Sequence, residues 1–132
     1  MKKLLLVVSM LGLAGAAVPA LAHHSFAMFE NDKNMTLEGT VKEFQWTNPH
    51  TWIQLLVTGA DGKVTEWSIE GGSPNGLRRQ GWRAESIKAG DKVSVVIRPL
   101  KSGEPGGALV SVTLPDGKVL GRQIAAGATS GD

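Results

Sequence analysis

The 132-residue chain contains no cysteine and no tyrosine. Without cysteine, no disulfide braces the fold, no thiolate can act as a nucleophile, and the commonest ligand of closed structural zinc sites is missing. A surplus of one charge sign is also missing. Lys2 and Lys3 account for the whole formal charge of +2, and behind them 12 Lys+Arg balance 12 Asp+Glu. That balance argues against nucleic acid or an anionic membrane as a partner, since both are bound through cationic excess. There is no Gly-x-Ser-x-Gly elbow, no His-Glu-x-x-His helix and no Gly-Lys-Ser/Thr phosphate loop. Ser25 beside His24 is a sequence neighbour only, and the carboxylates are scattered, so no acid–base pair stands out. An enzyme is not expected.

Only one long apolar run is present, and it gives the chain an address. Lys2 and Lys3 precede the stretch from Leu4 to Val18, which only Ser9 and small glycines interrupt. Pro19-Ala20-Leu21-Ala22 then places small residues three and one positions before a cut. This is the pattern of a cleaved secretory signal peptide over residues 1–22. The run is short and Gly/Ala-rich for a membrane span, no second one follows, and no cysteine at the cut offers a lipid anchor. The expectation is a periplasmic protein with no membrane insertion after the signal is removed. The remaining 110 residues suffice for one domain that buries roughly two-thirds of its unfolded surface.

From Met35 onward, short β-rich runs alternate with Gly, Pro, Asn and Asp. Leu37, Gly39 and Val41 share one parity, whereas Phe44 and Trp46 share the other, which predicts a β-bulge near Lys42-Glu43. Thr47-Asn48-Pro49-His50 is turn chemistry. Ile53, Leu55 and Val57 alternate with Trp52, Gln54 and Leu56 in a second strand, and Asp61-Gly62 predicts a hairpin turn into a third over Val64 to Glu70. Ser73 is placed to cap a short helix with Pro74 at its first position and Gly81 beyond its end. Ala84 to Ile87 reads as one more helical turn. Val93, Val95 and Ile97 mark a fourth strand, and Ala108, Val110, Val112 and Leu114 a fifth, with a short Val119-Leu120 extension after the Pro115-Asp116-Gly117-Lys118 turn. The fold class is all-β with a short helix. Three strands, a helix and two strands suit a five-stranded OB-like barrel over residues 35–120, with an open β-sandwich as the alternative. Residues 23–34 form an N-terminal segment and residues 121–132 a flexible tail.

Several separated phrases occur in one order: His23-His24-Ser25-Phe26, Trp46-Thr47-Asn48-Pro49-His50, Glu70-Gly71-Gly72-Ser73-Pro74-Asn75, Arg78-Arg79-Gln80-Gly81-Trp82 and Ala89-Gly90-Asp91-Lys92-Val93. In these the chain resembles a family of small exported bacterial proteins of unknown function. The resemblance covers about Ala22 to Leu120 and implies a periplasmic single-domain protein. It carries no reaction, ligand or catalytic residue with it.

His23, His24 and His50 are the only histidines. Cleavage after Ala22 would leave His23 with both an α-amino group and an imidazole, an N-terminal chelate. One further imidazole, from His50 or His24, completes a three-nitrogen set suited to Cu(II), which favours tetragonal nitrogen ligation. Met28 and Met35 add thioethers. Copper is therefore the one cofactor the residues point to. Four tryptophans are the second feature: Trp46 and Trp67 read as barrel filling, Trp82 as packing for the helix, and Trp52 as an outward-facing indole. Gly71-Gly72 read as the turn from strand to helix, and Arg78 and Arg79 as a solvated face pairing with Glu70 or Glu85.

The reading is a periplasmic binding module holding copper through His23, His24 and His50. The rival is an accessory module that docks onto an exported protein partner without metal, through a surface of Asn48, Trp52, Glu70 and Asn75. Both begin with processing. Intact-mass measurement of the exported protein should show a chain starting at His23, and retention of residues 1–22 would remove the basis for the chelate.

Overall fold

The structure, a computed structural model, describes residues 26–122. A 3-10 turn over Phe26–Met28 leads into β1 (Met35–Gln45), β2 (Trp52–Thr58) and β3 (Val64–Glu70). Helix α1 (Pro74–Arg79) follows, then β4 (Lys92–Pro99), β5 (Gly106–Thr113) and the short β6 (Val119–Gly121).

β1 takes two partners in succession. Its first half pairs with β4, from Met35 opposite Ile97 to Thr40 opposite Lys92. Its second half pairs with β2, from Thr40 opposite Leu56 to Gln45 opposite Trp52. Leu37 and Val41 point into the core, and Gly39 between them lies where the strands press together: a Cβ there would sit 2.5 Å from the Leu56 carbonyl oxygen and 2.9 Å from Leu55 Cγ. Just beyond, the register slips between Val41 and Glu43. The bulge predicted from the parity change is present. It bends β1 so that both halves of the sheet curl round one core.

The curl closes through a parallel ladder in which Ser68, Ile69 and Glu70 of β3 meet Gly106, Gly107 and Ala108 of β5. The other ladders are antiparallel, so the strands run β1-β2-β3-β5-β4 and back to β1, with β6 added along β5. This is the five-stranded OB-like barrel with its helix between the third and fourth strands. Val41, Ile53, Val95 and Val112 lie in one buried cluster with Leu55, Ile69 and Ile97. Gly62 turns the β2–β3 hairpin with φ +79°, as Asp61-Gly62 predicts.

α1 forms where Ser73-Pro74 predicts it. The Ser73 hydroxyl accepts from the Gly76 N–H at 3.1 Å, and Pro74 occupies the first turn, where no N–H is needed. Leu77 and Trp82 bury their side chains in the core, where Phe44 approaches Trp82 at 6.1 Å between ring centroids and Trp46 at 5.6 Å, edge to face. Trp46 and Trp67 pack partly buried against the same cluster.

Three expectations need correction. Ala84 to Ile87 is not helical. Arg83 and Ser86 close a turn on each other, Ser86 N–H to the Arg83 carbonyl at 3.0 Å and Arg83 N–H to Ser86 Oγ at 2.8 Å. A serine side chain that captures backbone in this way competes with helix. In β5 the regular alternation fails: Ile97 pairs with Leu109 but Val96 pairs with Ser111, so Val110 is the extra residue of a second bulge, and the inward phase passes from Leu109 to Val112, opposite Val95. Arg78 pairs with neither Glu70 nor Glu85. Its guanidinium lies 5.6 Å from the Trp46 ring centroid, and Nη1 donates to Asn75 Oδ1 at 3.4 Å.

The close passage at Gly39 can be tested directly. Gly39→Ala should lower unfolding stability in urea by about 1–3 kcal/mol, because the intruding Cβ meets backbone that cannot yield cheaply. Val64→Ala, at a side chain 61% exposed, should stay within about 0.5 kcal/mol.

Candidate functional site

The β1–β2 connection is clipped to the end of β3. Thr51 is buried, and its N–H and Oγ1 both donate to the Gly72 carbonyl, at 3.0 and 2.9 Å. The Gly71 N–H returns a bond to the Thr51 carbonyl at 2.8 Å. A Cβ on Gly71 would collide with Thr51 Oγ1, so glycine is what allows the two chains to approach. Thr47 Oγ1 donates to the His50 carbonyl at 2.8 Å, closing the turn that carries Asn48 and Pro49. Gly71-Gly72 therefore serve the strand-to-helix turn, with the Gly71 N–H taken up in the fold.

His50 is held against β3 by this clip. Its Nδ1 lies 3.2 Å from the Gly71 carbonyl oxygen and 3.4 Å from Glu70 Oε1. A carbonyl only accepts, so the contact places a hydrogen on Nδ1. Orientation of an imidazole by carboxylate and carbonyl oxygens is the arrangement that positions metal-ligating histidines. The His50 side chain is 38% exposed and that of Glu70 12%.

Glu70 pairs across the strands with Trp52, and both line a mainly apolar cavity of about 240 Å³. Met28 and Phe29 of the N-terminal segment and Leu100 and Pro105 of the β4–β5 loop complete its walls. Phe29 is pinned there by a bridge to Leu100. The site thus lies on the outer face of β2 and β3, between the β1–β2 and β4–β5 loops, where OB barrels take their ligands.

Four of the sequence-predicted residues come together here. Asn48 and His50 sit on the turn, and Trp52 and Glu70 beside it. Asn75 does not join them, since its side chain turns to Arg78 within α1. His23 and His24 lie outside the described residues, as does the tail beyond residue 122. Among the described residues, no three His, Cys, Asp or Glu side chains converge as a metal site. Sequence reasoning missed the far wall of the cavity, Phe29, Leu100 and Pro105. Its one signal is the long Gly/Pro-rich connection after Pro99, which in an OB barrel is the loop that faces the ligand.

A family profile matches residues 10–109, that of a family of unknown function (DUF6152). The chain belongs to this family. No curated protein matches it. Among solved structures, it is similar to the mitochondrial single-stranded DNA binding protein Rim1 of S. cerevisiae, at 14% identity and a TM-score of 0.48, over 63% of this chain and 93% of that one. A selenomethionine-labelled form of the same protein aligns at 15% identity and a TM-score of 0.43, over 62% and 92%. No helix among the described residues is long and apolar enough to cross a membrane.

The clip that holds His50 should be measurable. Thr51→Val removes one buried hydrogen bond while leaving the backbone bond to Gly72, so stability should fall by about 1 kcal/mol. Amide exchange at Gly71 should speed up, and exchange at Val95 should follow only the global change.

Proposed function

We propose that the chain is a periplasmic binding module that holds Cu(II) between its processed N-terminus and the His50 turn. The observation that carries this is the double role of Glu70, which contacts His50 at 3.4 Å and also lines the cavity walled by Met28. His24 lies four residues before Met28, and four extended residues span at most about 14 Å, which bounds how far that histidine can sit from the Met28 wall. His23 would contribute its α-amine and imidazole, and His50 its Nε2, with Glu70 and the Gly71 carbonyl fixing the ring. Three nitrogens of this kind suit tetragonal Cu(II). Export to an oxidising compartment, read from residues 1–22, agrees with the divalent state. His24 is the competing third donor.

A second reading has its own support. Trp52 and the apolar walls around it offer an anchor of the kind found at interface centres, suited to an exported protein partner that needs no metal.

Copper titration of protein matured by its own signal peptidase separates the two. One residue added before His23 moves the α-amine out of chelating position and should weaken Cu(II) binding sharply, with no change in metal-free stability. His50→Ala should remove one imidazole from the nitrogen hyperfine pattern in electron paramagnetic resonance. Glu70→Gln should weaken binding about tenfold or more through the orientation of His50. If all four proteins bind copper equally weakly, the metal reading fails. Loss of a co-purifying partner on Trp52→Ala, an anchor of about 2 kcal/mol or more, then supports docking.

A further inference from the structure

A second cavity shares Phe29 with the first and lies beside the bulge in β5. Val110, skipped by the β4–β5 ladder, bonds instead toward β6, its carbonyl accepting the Arg122 N–H at 3.1 Å as the next rung beyond Val112–Leu120. This draws Arg122, just past β6, beside Arg98 of β4. The two arginines line a cavity of about 230 Å³ together with Gln80 at the end of α1 and the apolar side chains of Phe29, Leu109 and Val110. In volume it equals roughly eight waters of the liquid.

No Asp or Glu is among the lining residues. Arg98 enters none of the three ion pairs formed by the described residues. Its Nε is buried with no hydrogen-bond partner among them. An enclosed guanidinium nitrogen without a partner is costly, and natural structures rarely keep one without a ligand, ion or water to meet the group. The guanidinium is a planar fork that matches a carboxylate with two parallel hydrogen bonds. A part-buried arginine with an exposed one beside it suits a single negative charge, and the apolar walls suit a short apolar body.

We propose that this cavity binds a small organic monocarboxylate, its charge held by Arg98 with Arg122 and its hydrocarbon part resting on Phe29, Leu109 and Val110. The site is independent of the copper reading, since it shares no ligand with His50 or the N-terminal histidines. A polyanion is not the class, because outside Lys2 and Lys3 the chain has no cationic excess.

Titration of the full mature chain, followed by amide chemical shifts, tests this with three probes: butyrate, its neutral amide butyramide, and inorganic phosphate. Butyrate should bind saturably and shift Leu109, Val110 and Arg122, butyramide should not, and phosphate should bind more weakly than butyrate. Arg98→Met should weaken butyrate about tenfold or more, the loss expected for a charge-assisted pair. Should that variant fail to fold, Arg98→Lys keeps the charge without the fork and should still weaken binding severalfold. The proposal is overturned if butyramide matches butyrate, if phosphate binds in its place, if none of the probes saturates, or if the shifts centre on Trp52 and His50 and survive Arg98→Met.

Discussion

A single strand with two sets of partners is the constraint on which this fold rests. β1 can serve β4 with its first half and β2 with its second only if the chain bends between Thr40 and Glu43. The bend needs two permissions: no side chain at Gly39, where β1 presses on Leu55 and Leu56, and one residue too many in the ladder after Val41. A straight β1 would leave an open sheet in which β3 and β5 never meet. Closure creates a common interior for Val41, Ile53, Val95 and Val112. It also fixes the outer arrangement, setting the β4–β5 loop opposite Trp52 and Glu70.

Irregular backbone recurs wherever the surface acquires chemistry. The His50 turn is not a free loop, because Thr51 commits its N–H, carbonyl and hydroxyl to Gly71 and Gly72. The imidazole is thereby carried by a buried backbone junction, and its angle is set by β3 and not by the turn alone. In β5 the slip at Val110 moves the inward phase from Leu109 to Val112, and the Val110 carbonyl seats Arg122 alongside β6. Bulges and clips are how a small barrel gains shaped surface without enlarging its core.

Much of this was legible because local chemistry and tertiary structure agree. The parity change in β1, Asp61-Gly62 and Ser73-Pro74 each specify a backbone geometry within a few residues, and the fold adopts it. The failures share a different cause. Ala108, Val110 and Val112 look like uninterrupted alternation, yet their phase is set by Ile97 on another strand, which no local pattern reports. Ala84 to Ile87 has ordinary helical residues, but the Ser86 hydroxyl takes the backbone first. His50, Trp52 and Glu70 could be singled out by residue type and strand face. The walls supplied by Phe29, Leu100 and Pro105 could not, since they meet the site only through barrel closure. His23 and His24 lie outside the described residues.

The parallel ladder between β3 and β5 has a consequence for the order of assembly. β1, β2 and β3 follow one another and pair through short connections, whereas Ser68 to Glu70 must wait for Gly106 to Ala108, with α1 and β4 intervening. This seam and the still more distant β1–β4 ladder both repay their loop-closure entropy late, which makes the topology a non-local one. Until the β3–β5 seam closes, β3 and β5 each present a bare edge able to recruit another chain. The seam runs directly beneath Trp52 and Glu70, so the same event that hides those edges also completes the cavity. A chain halted one step short has strands and a partial core, is prone to self-association, and lacks the finished cavity.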